Sequence, residues 1–224
     1  MYTISQRLKE IAGLVTVGSR VADIGADHGY LSIYLVKEGI ASYVYTCDIG
    51  EGPLNNARRN IEKSGVKNIE LCLCDGLDGI DPESVDTVII AGMGGDVISG
   101  IIERAPWLKD KKYTLILQPM TSADTLRHYL IDNNFSVQKE ISIAENGKVY
   151  TAFSVVFTGQ KQNLSPAFYH IGLLKYQSET DKAYIDKQLR ILKKCQSDIE
   201  NVPQKENLFR EITATINEIE KIIG

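Results

Sequence analysis

The 224-residue chain has four cysteines, three histidines, one tryptophan and no apolar run near the roughly 20 residues that a helical membrane span requires. The last absence excludes a spanning helix. Cys47, Cys72, Cys74 and Cys195 form no C-x-x-C pair and no histidine clusters with them, so no metal site is expected. Three of the four lie in or beside apolar, strand-like runs, which predicts buried, reduced thiols in a reducing compartment. The opening stretch MYTISQRLKEIAGLV is interrupted by Arg7, Lys9 and Glu10, unlike a secretory signal. A cytoplasmic protein is therefore expected. An excess of positive charge is also missing: the net charge is −4, and the whole molecule lacks the basic field of a nucleic-acid binder. The part beyond Gln160 is nearer neutral and locally basic at Arg190-Ile191-Leu192-Lys193-Lys194, which suits either phosphate contacts or an ordinary solvated helix face.

What is present is an alternation of helix and strand. The length allows one sizeable core plus an appendage, and 43% hydrophobic with 24% charged residues is ordinary for a globular chain. Thr3 to Val15 places Ile4, Leu8, Ile11 and Val15 at helical spacing, with Thr3 and Gln6 in capping-box positions. Strands are predicted at 20–25, 43–47, 69–73, 85–91, 113–117, 136–143 and 149–157. Helices are predicted at 30–37, 53–63, 96–104 and 122–132. The last two strands flank Asn146-Gly147, a hairpin signal, so a doubly wound, mostly parallel sheet should end in an antiparallel pair. Seven strands of this kind point to the methyltransferase variant of the Rossmann-like α/β fold rather than the six-stranded dinucleotide version. Past Gly159 the β signal stops, and a linker over 160–166 leads into two helical stretches separated by Val202-Pro203. Ile185, Leu189, Leu192, Gln196 and Ile199 on the first, and Leu208, Ile212, Thr215, Ile219 and Ile222 on the second, keep 4-3 spacing. The expected organisation is an α/β domain over 1–159 and a helical hairpin or coiled coil over 160–224, either within one chain or between chains.

The chemistry concentrates at strand ends. Val21-Ala-Asp-Ile-Gly-Ala-Asp-His-Gly29 makes a tight turn after the first strand. Gly25 and Gly29 allow close backbone approach past Ala26, and Asp23 and Asp27 can accept hydrogen bonds from a cationic amino-acid ligand. A dinucleotide loop would present G-x-G-x-x-G and helix amides to a pyrophosphate, whereas position 27 here is acidic. A negatively charged turn favours an ammonium or sulfonium group, both of which S-adenosylmethionine carries. Asp48, about 20 residues on, suits the two hydroxyls of a ribose, with Ile49 beside it; a helix cap is the alternative use of that carboxylate. Asp75-Gly76 after the third strand suits the exocyclic amine of adenine. Ala91-Gly92-Met93-Gly94-Gly95 ends the fourth strand with residues small enough for a substrate to approach, and Gln118 at the end of the fifth can bond a base edge or cap the following helix.

Taken together, Ser5-Gln-Arg-Leu8, Ala22-Asp-Ile-Gly-Ala-Asp-His-Gly-Tyr-Leu31, Ile90-Ala-Gly-Met-Gly-Gly95, Leu117-Gln-Pro119 and the helical appendage resemble the TrmK family nearly end to end. These are bacterial methyltransferases that modify N1 of adenine 22 in tRNA. The resemblance implies a class I methyltransferase domain that uses S-adenosylmethionine and a coiled-coil-like C-terminal domain that helps to hold tRNA. The family turn usually has threonine where Ala26 stands, so a hydroxyl is missing while the turn is kept.

Methyl transfer is an in-line displacement governed by alignment, and adenine N1 has a free lone pair, so no strong base is required. Asp27, His28 or Gln118 can orient the acceptor, and Tyr30 or Met93 can pack against a base that has left its stack. His28 can equally hold the turn. Arg7 can meet a phosphate or the cofactor carboxylate, or simply be solvated. Two rival functions share the pattern: methylation of a small molecule or protein, and a non-catalytic cofactor-binding module. An NAD-dependent oxidoreductase is disfavoured by Asp27.

Overall fold

In the computed structural model, which describes residues 4–224, seven strands form one sheet in the order β3-β2-β1-β4-β5-β7-β6. They are β1 (Ser19–Ile24), β2 (Ala41–Asp48), β3 (Ile69–Leu73), β4 (Thr87–Gly94), β5 (Thr114–Thr121), β6 (Phe135–Glu145) and β7 (Lys148–Phe157). β1 to β5 are parallel to one another, and β7 runs antiparallel between β5 and β6. The order reverses at β1 and β4, and ligands bind outside the carboxyl ends of strands at such a switch point. Because β6 is antiparallel to β7, its last residue, Glu145, reaches that same edge. Asn146 and Gly147 both have positive φ and close the β6–β7 hairpin, as an Asn-Gly turn should.

Alternation along the strands divides the core between the two faces of the sheet. Val21, Val44, Ile89, Ile116 and Ala152 pack under α1 (Gln6–Ala12) and α2 (Tyr30–Lys37). On this side α3 (Glu51–Ser64) packs against α2, β2 and β3. Ala22, Ile24, Val88, Ile90, Leu115, Leu117 and Phe153 face the other way, toward α4 (Gly95–Arg104) and α5 (Ala123–Asp132).

Several local expectations are corrected. Thr3 lies outside the described residues, and α1 is capped by Ser5, whose hydroxyl accepts from Leu8 N at 3.3 Å. β4 runs on through Met93 and Gly94 against Pro119 and Thr121, with register irregularities after Ala91 and Met93, where the strand was expected to end at Ala91. Of the four cysteines, Cys47 is buried and the other three are half-buried, all as free thiols.

The C-terminal part holds three helices rather than two: α6 (Pro166–Ile171), α7 (Glu179–Ile199) and α8 (Glu206–Ile223). Ser178 caps α7, accepting from Asp181 N at 3.0 Å. Ala167, Ile171, Tyr184, Ile185, Leu192, Ile212, Ile216 and Ile219 form a separate apolar core. Leu208 and Ile222, expected in the seam, are exposed, and Ile216 takes a seam position instead. The two parts are joined by a fully buried ion pair, Arg127–Glu140, at 2.5 Å. Arg127 also donates to the carbonyls of Tyr169 and His170 on α6 and lies under the Phe153 ring, while Glu140 accepts from Leu173 N at 2.9 Å and from the Thr151 hydroxyl. Among the described residues no helix is long and apolar enough to cross a membrane.

Candidate active site

The turn after β1 is held from both sides. Gly25 and Ala26 donate their amides to the carbonyl of Cys47 at 2.8 and 3.0 Å, and Asn60 of α3 donates to the carbonyl of His28 at 2.9 Å. Gly25, Asp27 and Gly29 have positive φ. A side chain at Gly25 would have to displace only the movable end of Met93, and one at Gly29 would stand 3.1 Å from the Ala57 Cβ, so it is chiefly the left-handed backbone at both positions that favours glycine. The Asp27 carboxylate and the His28 ring are exposed and 3.4 Å apart, and His28 stacks on Tyr30 with ring centres 5.5 Å apart.

Asp23 and Asp48 play different structural parts. Asp23 lies inside β1 on the α2 side of the sheet, where Ser32 donates its hydroxyl at 2.7 Å and itself accepts from Thr46 at 2.8 Å. Burial pushes the Asp23 carboxyl up to about 6, with the hydrogen bonds from Ser32 pulling the other way. Asp48, ending β2, receives one amide on each oxygen: Gly50 N at 2.9 Å and Asp27 N at 3.2 Å. Each oxygen keeps a further lone-pair site for a ligand hydroxyl. Ile49 and Leu73, beside Asp48 and Asp75, are large aliphatic side chains exposed at adjacent strand ends, a surface on which a flat base can lie. Asp75 is in an exposed ion pair with Arg104 at 2.9 Å, and Gly76, with positive φ, packs close to Ile101.

The ends of β4 and β5 are organised by Gln118, which is fully buried. Its carbonyl oxygen accepts from Arg7 Nη1 at 2.8 Å and from Gly92 N at 3.1 Å, and its amide donates to the carbonyl of Pro119 at 2.9 Å. Arg7 also donates through Nε to Glu145 at 2.9 Å. Gln118 therefore ties α1 and the β6 end to the Gly92 backbone, and it does not cap α5, whose N-cap Ser122 has no side-chain cap bond. Burial works against ionisation of Glu145, but its interactions with Ser5 and Arg7 outweigh that and lower its pKa. Ala91, Gly92 and Met93 continue β4 next to this knot, with Gly92 exposed and at positive φ. Asn60 and Glu145 have no motif around them and are missed by sequence reading; the one signal for Glu145 is an acid directly before an Asn-Gly turn.

A cavity of about 880 Å³ opens from the end of β5 to α7 and α8, lined in part by Met120, His128, Tyr150, His170, Ile191 and Leu208. His128 stacks flat on Tyr169, ring centres 3.7 Å apart, and burial lowers the pKa of His170. Among the described residues no group of three His, Cys, Asp or Glu side chains is placed to hold a metal ion.

The strand order, the glycine turn and the carboxylates at successive strand ends define a Rossmann-like methyltransferase fold. Consistent with that, the profile of a methyltransferase domain matches residues 4–153, and the chain belongs to this family. The tRNA (adenine(22)-N(1))-methyltransferase of Bacillus subtilis (strain 168) is 38% identical over 151 residues, covering 66% of this chain and 62% of that protein. The crystal structure of the B. subtilis m1A22 tRNA methyltransferase TrmK superposes with a TM-score of 0.85 at 27% identity over 100% of both chains. A putative tRNA (m1A22) methyltransferase of Streptococcus pneumoniae, in complex with S-adenosyl-L-methionine, gives 0.82 at 29% identity over 99% of this chain and 100% of that one.

Proposed function

We propose that this protein transfers the methyl group of S-adenosylmethionine to N1 of adenine 22 in tRNA. The observation that carries the proposal is the end-to-end likeness to a tRNA m1A22 methyltransferase, because it includes the C-terminal helices as well as the common methyltransferase sheet. Residues 1–159 act as the catalytic domain and 160–224 as the part that helps to hold tRNA.

The residues at the sheet edge fit the cofactor. Asp48 takes the ribose hydroxyls on its remaining lone pairs, Ile49 supports the adenine, and Asp75 with Gly76 meets the exocyclic amine. Gly25, Ala26 and Gly29 let the ligand approach the backbone. Asp27 provides negative charge near the amino-acid end, and Asp23 supports the turn from below through Ser32. Bound there, the cofactor supplies an electrophilic methyl group on a sulfonium.

Ala91, Gly92 and Met93 face the reacting end, and Gln118 fixes the Gly92 backbone and the Arg7 guanidinium in place. His28 and Asp27 are near enough to the turn to orient the acceptor base. N1 carries its own lone pair, so these groups align rather than deprotonate. Because N1 lies on the pairing edge, adenine must leave its stack first, and the cleft between β5 and the C-terminal helices admits the extruded nucleotide. A protein that handles tRNA in this way works in the cytoplasm.

The test is incubation of the purified protein with radiolabelled S-adenosylmethionine and an unmodified tRNA transcript, followed by nucleoside mass spectrometry. Label in 1-methyladenosine is expected. Label in small acceptors or proteins, with none in tRNA, would overturn the substrate.

A further inference from the structure

In the basic run near the end of α7, Lys193 pairs with Glu220 at 2.6 Å, and Arg190 Nε donates to the carbonyl of Asp186 in its own helix. A different concentration of positive charge lies on the α/β domain. A cavity of about 380 Å³ is bounded by α1, α2 and α3, and Lys9, Lys37 and Lys63, one from each helix, converge on it with Tyr30 and Tyr34. All three lysines are exposed, and none makes an ion pair or hydrogen bond with a described residue. Glu38 brings a carboxylate to the rim, leaving three ammonium groups against one acid in a molecule whose net charge is −4. Single unpaired lysines are ordinary on a surface. Three meeting in one concavity from three helices repel one another and favour a polyanion between them.

Position connects this cavity to the chemistry. α2 starts directly after Gly29, so Tyr30, Tyr34 and Lys37 fall on one helical face and extend from the cofactor turn by about 10 Å. Tyr30 stacks on His28, and α3, which carries Lys63, is bound to the same turn by Asn60. Ammonium groups interleaved with aromatic rings are the arrangement that follows a nucleic-acid backbone, the charges meeting phosphates and the rings meeting bases or sugars.

We propose that Lys9, Lys37 and Lys63 form a phosphate-binding surface that takes the tRNA backbone beside the target nucleotide, so that the α/β domain itself grips the substrate. The proposal rests on the reading of the chain as a tRNA methyltransferase and goes beyond it in assigning a second contact region outside the helical domain.

The test compares the full-length protein with K9Q/K37Q/K63Q and K9R/K37R/K63R, using unmodified tRNA transcripts over a range of salt. The Gln variant is expected to raise KM for tRNA on the order of tenfold and to reduce the slope of log affinity against log salt by about 2 to 3, from 0.7 to 0.9 per lost phosphate contact. Its kcat, its affinity for S-adenosylmethionine and its melting temperature should stay close to those of the parent, and the Arg variant should restore KM and slope. A folded Gln variant with unchanged KM and salt slope overturns this surface while leaving the methyltransferase reading intact. A parent protein that neither binds nor methylates tRNA overturns both.

Discussion

Arg7 and Gln118, 111 residues apart in sequence, meet at 2.8 Å, and the same Gln118 oxygen accepts the amide of Gly92 at 3.1 Å. One buried acceptor thus sets both the opening helix and the end of β4. Gln118→Ala would leave two donors unpaired, at a cost of roughly 1–3 kcal/mol. It should lower kcat for methyl transfer by tenfold or more while changing cofactor affinity less, because the Asp48 side of the site does not contact it. Gln118→Glu retains an acceptor and should lose less. Equal kinetics for parent and Gln118→Ala would remove Gln118 from the positioning scheme.

Gly25 supports a second prediction. A β-carbon at its left-handed φ costs about 1–2 kcal/mol and would also collide with the end of Met93. Gly25→Ala should therefore weaken binding of S-adenosylmethionine in calorimetry and lower the melting temperature. Adding Met93→Ala relieves the collision but not the backbone strain, so recovery should be partial. Full recovery would show that strain at this turn is unimportant.

Asp23 gives a pH dependence with a definite sign. Its folded pKa is raised from 3.8 to about 6, so the folded chain prefers the protonated acid. The stability this provides is complete below about pH 4 and is lost as pH rises through about 6. Asp23→Asn does not titrate, so its stability relative to the parent should improve between pH 4 and 7 by roughly 2–3 kcal/mol. Denaturant melts across that range should show the shift; a constant difference would mean that Asp23 titrates normally.

The Arg127–Glu140 pair should behave as a buried junction. Arg127→Met alone leaves Glu140 uncompensated and should cost about 3–5 kcal/mol, whereas Arg127→Met with Glu140→Leu should cost less. Proteolysis or hydrogen exchange should show α6 loosening in the single variant. Protection of α6 equal to the parent would contradict the junction.

How much of this could be read from sequence depended on whether the signal was local. The Asp23–Gly29 turn, the strand alternation and the Asn146-Gly147 hairpin are short patterns with their own backbone chemistry, and the seven-stranded sheet follows from them. α6 was missed because six residues after a polar stretch carry too little periodicity to separate helix from loop. Nothing in the local pattern of the helix marks Arg127 as buried; that follows only once Glu140 and the α6 carbonyls are brought to it. The exposure of Leu208 and Ile222 shows the same limit, since spacing identified the helices while tertiary packing chose their buried faces. At the site, Asp48 and Gly92 sit in recognisable strand-end motifs, but the bonds of Gln118 to Arg7 and Gly92 join three distant segments, a relation that no local pattern encodes.

The most direct test of the central claim is to compare methylation of a tRNA transcript bearing adenine 22 with transcripts carrying another base there, locating the product by mass spectrometry of nuclease fragments. The account predicts one 1-methyladenosine at position 22 and none in the substituted transcripts. Methylation that persists at another nucleotide when adenine 22 is replaced would contradict it.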